Sequence, residues 1–265
     1  MRPSFVFVTG ACYGPAYFDP IRHALNGLGY SSVAVTPRAL NSVPPATSFQ
    51  PDADAVRDDT LGLLEKGEDV IIVMHSYGGI PGTEAAGDII ASRPDIAGRI
   101  KRLVYVAAFV PAEGDSLTSL ASAAPPPAPD SVFYYSDDGY IVLNDKAEEA
   151  IFHDVPEPDR STYAALAGKE PIGTNTAPVT HTAWEHIPSS YVYTTLDRII
   201  QFQDQEFMVE RARAHSQPCF PGKGGKPPRK PFSGPLGLFT LEAGHMPMLS
   251  KIPELAGILG QLAEE

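Results

Sequence analysis

The run Val70-Ile71-Ile72-Val73-Met74 is apolar at every position, and no other feature limits the fold so sharply. A strand with one wet face alternates apolar and polar residues; a strand apolar throughout must be covered on both faces. That is the environment of a parallel sheet between two layers of helices. The flanking sequence agrees. Residues 5–8, 32–36, 102–107, 191–194 and 236–241 read as further strands, rich in Val, Phe, Tyr and Leu. Between them, helical spacing follows Asp19-Pro20 as far as Gly29, and returns over 54–66, 83–92 and 253–264. The expected architecture is α/β: a mainly parallel sheet of about six strands, flanked by helices.

The rhythm breaks at Pro111 and resumes near Pro188. The stretch between holds the run Pro125-Pro126-Pro127-Ala128-Pro129 and the aromatics Phe133, Tyr134, Tyr135, Tyr140, Phe152, Tyr163 and Trp184. It reads as a cap, residues 111–188, inserted over the strand ends of a core formed by 1–110 and 189–265. Residues 215–235 are a second interruption, rich in proline and glycine, with Lys223, Lys226, Arg229 and Lys230 and no acid. A mobile surface insertion accounts for this better than a basic docking loop.

Composition removes whole classes of function. A net charge of −12 argues against nucleic-acid and anionic-membrane partners. No apolar run approaches the roughly 20 residues of a membrane helix, and Phe5 to Val8 is too short for the core of a signal peptide. Cys12 and Cys219 make no disulfide framework, and no Cys/His spacing suggests a metal site. The expectation is a cytoplasmic protein that needs no cofactor or metal and meets a small molecule. A second copy of itself is the one protein partner left open.

The chemistry points to Met74-His75-Ser76-Tyr77-Gly78-Gly79, which joins the apolar strand to a helix. A serine on so sharp a turn needs a strained backbone and small neighbours, and Gly78 and Gly79 supply the room. Taken alone, the motif also fits an ordinary strand–turn–helix junction. Two later segments change that. Asp197 lies just beyond the strand 191–194, and His245 just beyond the strand 236–241. Active groups of parallel sheets gather at the carboxyl ends of strands. A serine hydroxyl needs a base, and that base needs an acceptor on its other nitrogen. Ser76, His245 and Asp197 fit those roles, with Asp204 as a rival acid. The loop Thr9-Gly10-Ala11-Cys12-Tyr13-Gly14 follows the first strand; the amides of Ala11 and Tyr77 are candidate oxyanion donors. Phosphate binding by this loop is a second choice, since it lacks the P-loop lysine and the dinucleotide fingerprint. Gly10, Tyr13, Phe109, Trp184 and Met246 are the expected pocket residues. His75 is expected to point away and pack.

The segments 5–14, 70–79, 191–197 and 241–249, with their order and spacing, resemble the α/β-hydrolase superfamily. Within it the chain is similar to the methylesterase and hydroxynitrile-lyase group, which includes plant salicylate-binding methylesterases. The resemblance implies an α/β-hydrolase fold with a lid, and the triad Ser76, Asp197 and His245. Two positions depart from the group: Thr9 stands where a histidine is usual, and Met74 where a glycine is usual. Lyase members carry a lysine after the catalytic histidine and a threonine at the position of Gly10. Met246 and Gly10 therefore favour hydrolysis. The leading expectation is a serine hydrolase of a small, largely apolar ester or lactone. A hydrolase-like binding protein with little turnover is the alternative, as is carbon–carbon cleavage or cyclisation on the same triad.

Overall fold

The computed structural model describes residues 2–123, 132–215 and 231–264. In chain order its core begins with β1 (Ser4–Val8), α1 (Asp19–Gly27), β2 (Ser32–Ala34), α2 (Gln50–Leu64), β3 (Val70–His75), α3 (Gly79–Ser92), the short α4 (Pro94–Ala97) and β4 (Ile100–Val106). The excursion contributes α5 (Leu117–Ala123), β5 (Phe133–Tyr135), β6 (Tyr140–Leu143), α6 (Ala147–Phe152), α7 (Asp159–Ala164), β7 (Glu170–Pro171) and α8 (Ile172–Thr176). The core resumes with β8 (Ser189–Thr194), α9 (Phe202–His215), β9 (Leu238–Leu241), α10 (Pro247–Ser250) and α11 (Ile252–Ala263).

Six strands form one sheet in the order β2-β1-β3-β4-β8-β9, every pair parallel. This is the fold the apolar run demanded. Side chains of a strand point alternately to opposite faces, and β3 uses both. Ile71 and Val73 join Phe5, Phe7, Val104 and Val106 against Ile21 and Leu25 of α1 and Leu255 and Leu259 of α11. Val70, Ile72 and Met74 join Val6, Val8, Leu103 and Tyr105 against α2, α3 and α9. Two apolar layers, one on each side, leave no face of β3 for water.

Most elements match the sequence reading to within a few residues. Helix α2 begins at Gln50 rather than 54, because Pro51 falls in its first turn, where proline's missing N–H is not needed. Helix α3 begins at Gly79 rather than 83: the turn after Ser76 runs straight into it.

The described residues of the excursion build a small antiparallel sheet, β5-β6-β7, with short helices around it. Backbone bonds tie this unit to the core: the Gly168 N–H donates to the Cys12 carbonyl (2.6 Å) and the Asn41 N–H to that of Lys169 (2.9 Å). Its last stretch is different. Val179, Ala183, Trp184 and Ile187 sink into the α2/α3/α9 side of the core. The proline run 125–129 lies outside the described residues, as do 216–230 of the basic stretch. The latter's return is well anchored: Phe232 is buried, edge-on to Tyr105 with ring centroids 5.5 Å apart.

Candidate active site

The sheet delivers Ser76, Asp197 and His245 to one edge. Ser76 follows β3 directly with φ +54°, a left-handed conformation that a side chain with a Cβ adopts only under constraint. Three glycines make the constraint possible. A Cβ on Gly78 would lie 2.6 Å from the carbonyl oxygens of Val8 and Thr9, and one on Gly79 would lie 1.9 Å from that of Phe109. Such contacts exclude any side chain at either position. The third is Gly82, one turn into α3. The side chain of Met74 fills its place, with Sδ 2.5 Å from where a Gly82 Cβ would stand. Met74 is thus accommodated by a glycine on the helix rather than on the strand.

His245 bridges the other two. Its Nε2 lies 3.1 Å from Ser76 Oγ, and its Nδ1 lies 2.9 Å from Asp197 Oδ2. Asp197 is well held. Its Oδ1 accepts the backbone N–H groups of Ile199 (2.8 Å) and Ile200 (3.0 Å), and its Oδ2 the Thr194 hydroxyl (3.0 Å) and the Gln205 amide (3.4 Å). Asp204, the rival acid, sits in the first turn of α9; among the described residues it is Asp197 that meets His245.

A small cavity, partly open to solvent, abuts Ser76 and His245. Gly10, Tyr13 and Met246 line it, as the sequence led us to expect, and Ala11, the candidate oxyanion donor, lines it beside them. Gly10 comes close because it lacks a side chain: a Cβ there would be 3.1 Å from both Ser76 Cβ and His75 Nδ1. The excursion contributes Phe133, Leu143 and Ile151, and the loop after β8 contributes Ile199. No Lys, Arg, Asp or Glu is among these lining residues, so the cavity suits an uncharged, apolar guest.

Three expectations need correction. Trp184 is not a pocket residue; it is wholly buried in the core, and its indole N–H donates to the Pro111 carbonyl (2.7 Å). Phe109 does not line the cavity either. It shapes the turn through its backbone, pressing on Gly79 and donating its N–H to the Ser76 carbonyl (3.1 Å). His75 does not point away: it lines the cavity, and its Nε2 lies 2.8 Å from the His245 carbonyl oxygen. Burial, and then the charge His245 can carry, hold the His75 ring well below the ordinary imidazole range. The cap aromatics are likewise mostly elsewhere, with Tyr134 and Tyr135 exposed and only Phe133 on the cavity wall. Tyr77 has two faces. Its backbone follows Ser76 directly, while its side chain enters the core and donates its hydroxyl to Asp52 (2.8 Å).

Tyr17, Leu143, Ile151 and Ile199 escaped sequence reasoning because nothing local marks them. Asp154, on the loop after α6, accepts the Gly244 N–H (2.6 Å) and so ties the excursion to the loop that carries His245. Among the described residues, no three His, Cys, Asp or Glu side chains converge on a metal position, and no helix is long and apolar enough to cross a membrane.

Comparison with known proteins agrees with this fold. The profile of the alpha/beta hydrolase family matches residues 5–256. An alpha/beta hydrolase, nvfD, of Aspergillus novofumigatus is 34% identical over 198 residues, 72% of this chain and 77% of that protein. A pyrethroid hydrolase from Sphingobium faniae JZ-2 superposes with a TM-score of 0.72 at 18% identity, covering 100% of this chain and 98% of that one. A methylesterase from Arabidopsis gives 0.66 at 20% identity, with 99% of each chain covered. At such identities the two structures are similar in fold.

Proposed function

Because the chain belongs to the alpha/beta hydrolase family, we propose that it is a serine hydrolase cleaving a small, uncharged, largely apolar carboxylic ester or lactone. The observation that carries this is the continuous contact from Asp197 through His245 to Ser76, 2.9 Å and 3.1 Å, at the wall of an apolar cavity. Asp197 holds the imidazole with its proton on Nδ1, leaving Nε2 free to act as base. Ser76 Oγ attacks the substrate carbonyl carbon as its proton passes to Nε2. The oxyanion that forms is received by the amides of Ala11 and Tyr77, preorganised donors of the kind worth roughly 10²–10³ in rate each. The adduct collapses, and the imidazolium gives its proton to the departing alkoxide. Water, deprotonated by the same nitrogen, then releases the acid and frees Ser76. Met246 follows His245 with a thioether that offers no cation to a leaving anion, in keeping with hydrolysis rather than cyanohydrin cleavage.

A screen of short aryl, methyl and macrocyclic esters, with a fluorophosphonate probe alongside, tests the reading. The wild type should hydrolyse some of these esters and be labelled at Ser76. Ser76→Ala should lose both while melting almost unchanged. A Ser76→Ala protein that keeps more than a few per cent of the activity would defeat the proposal.

A further inference from the structure

His75 is chemically over-equipped for a packing role. The ring is buried between Tyr17 and Phe18 on one side and His245 on the other, with the His75 and His245 centroids 4.7 Å apart. A phenylalanine would fill such a space. Instead both ring nitrogens are engaged: Nε2 at 2.8 Å from the His245 carbonyl oxygen, and Nδ1 at 3.2 Å from the Tyr17 hydroxyl. The same hydroxyl accepts the Gly10 N–H at 2.6 Å.

The directions of these bonds are forced. A carbonyl oxygen can only accept, so Nε2 must carry hydrogen. Burial keeps the ring neutral, so Nδ1 is a bare acceptor and Tyr17 must donate to it. Burial also pushes the Tyr17 phenol up, so it retains the proton it donates. Its oxygen is then left to accept from Gly10, whose N–H can only donate. One consistent arrangement results: Gly10 N–H to Tyr17, Tyr17 O–H to His75 Nδ1, His75 Nε2–H to the His245 carbonyl.

The ends of this chain are the two loops whose spacing matters most to the proposed chemistry. Gly10 supplies the carbonyl half of the peptide whose amide is that of Ala11. His245 carries the base. Ser76, adjoining His75 in sequence, lies between them. We propose that Tyr17 and His75 are positioning residues, forming a hydrogen-bonded strut that fixes the oxyanion loop and the base loop relative to Ser76. The proposal rests on the serine-hydrolase reading. It assigns to two side chains on the inner wall of the cavity a task beyond lining it: holding the two loops in register while charge moves between them.

The experiment is a double-mutant cycle on an ester the wild type hydrolyses, with thermal melts and fluorophosphonate labelling rates for every variant. Tyr17→Phe keeps the ring and removes the central hydroxyl; His75→Leu removes both nitrogens. Each should lower kcat roughly 10–100-fold, the scale of a small misplacement of reacting groups. KM of Tyr17→Phe should stay within about threefold, because the ring that lines the cavity is kept. The double variant should lose no more than the worse single, since each change breaks the same strut. His75→Gln, whose terminal amide can still donate to the His245 carbonyl, should recover about tenfold of what His75→Leu loses. Independently, ¹⁵N spectra near neutral pH should find the His75 ring neutral with hydrogen on Nε2. Additive losses in kcat would overturn the strut. So would a glutamine variant no better than leucine, damage confined to the melting temperature, or a His75 proton on Nδ1. A wild type that neither turns over nor labels would instead sink the hydrolase reading itself; an active wild type with unaffected strut variants sinks only the strut.

Discussion

Asp197 and Glu170 are both buried carboxyl groups, one on the core beside His245 and one on the cap beside the loop after β1, and their surroundings are opposite. Around Asp197, two backbone amides, a hydroxyl, a side-chain amide and the His245 ring converge on two oxygens. Glu170 receives the Cys12 N–H on Oε2 at 3.2 Å. Its Oε1 has no hydrogen-bond partner within reach, and the nearby Thr174 hydroxyl donates to the Pro171 carbonyl (2.7 Å). Burial, and then the nearby charge of Asp52, push the Glu170 carboxyl up to about 8. Exclusion from water is common to both sites. What separates them is the supply of donors, which decides whether a buried carboxyl can carry charge. One surrounding is built for an anion, the other for a neutral acid.

The harshest test of this contrast is Asp197→Asn. The amide is nearly isosteric, so packing survives, but it can present N–H to His245 and favour the wrong tautomer. The same change in a serine-protease triad lowers kcat about 10⁴-fold, and we expect a loss of that order here. Asp204→Asn should stay within a few-fold. If the two losses were exchanged, the site's anion would be Asp204. A milder test is Gln205→Leu. Gln205 is wholly buried, donates to Asp197 and to the Ile200 carbonyl (2.7 Å), and accepts the Thr194 N–H (3.0 Å). Removing it strands those backbone groups, at about 1–3 kcal/mol for a buried unsatisfied group. It should also lower kcat by about tenfold as Asp197 loses one of its supports. A stable variant with unchanged kcat would show that the remaining donors suffice.

How far the sequence could be read follows the same division between local and distant causes. The β3 strand was legible because its surroundings impose one residue type at every position. Ser76, Asp197 and His245 were legible because each stands just past a strand, and strand ends in a parallel sheet converge. Met74 could be read only as a departure, because the compensating glycine, Gly82, sits on the following helix. Trp184 looked like cap because it lies near prolines and past the aromatic run; its acceptor, Pro111, is 73 residues away. His75 could not be read from its neighbours at all. Its partners are 58 and 170 residues distant, and its role depends on which nitrogen bears hydrogen. Glu170 belongs with these. A lone acid in a polar stretch gives no sign that the cap will close over it.

Glu170→Gln is the gentlest of the four changes, and it tests the other half of the comparison. A protonated glutamic acid and a glutamine are close in shape, and the amide oxygen can still accept the Cys12 N–H. Activity near neutral pH should therefore change less than about twofold. The difference should appear in the pH dependence of stability. Unfolded, Glu170 would titrate near its ordinary value of 4.5; folded, it titrates near 8. Between those values the folded state holds more protons than the unfolded state, so stability falls as pH rises, by at most about 1.4 kcal/mol per pH unit from this group. Below pH 4.5 the contribution is constant, and above 8 the full penalty of a buried charge beside Asp52 is present. Thermal melts of the wild type from pH 6 to 9 should slope downward, and those of Glu170→Gln should slope less and lie higher at the alkaline end. Parallel slopes for the two proteins would mean that Glu170 is already charged when the chain folds, and that one N–H is enough to keep a buried carboxylate.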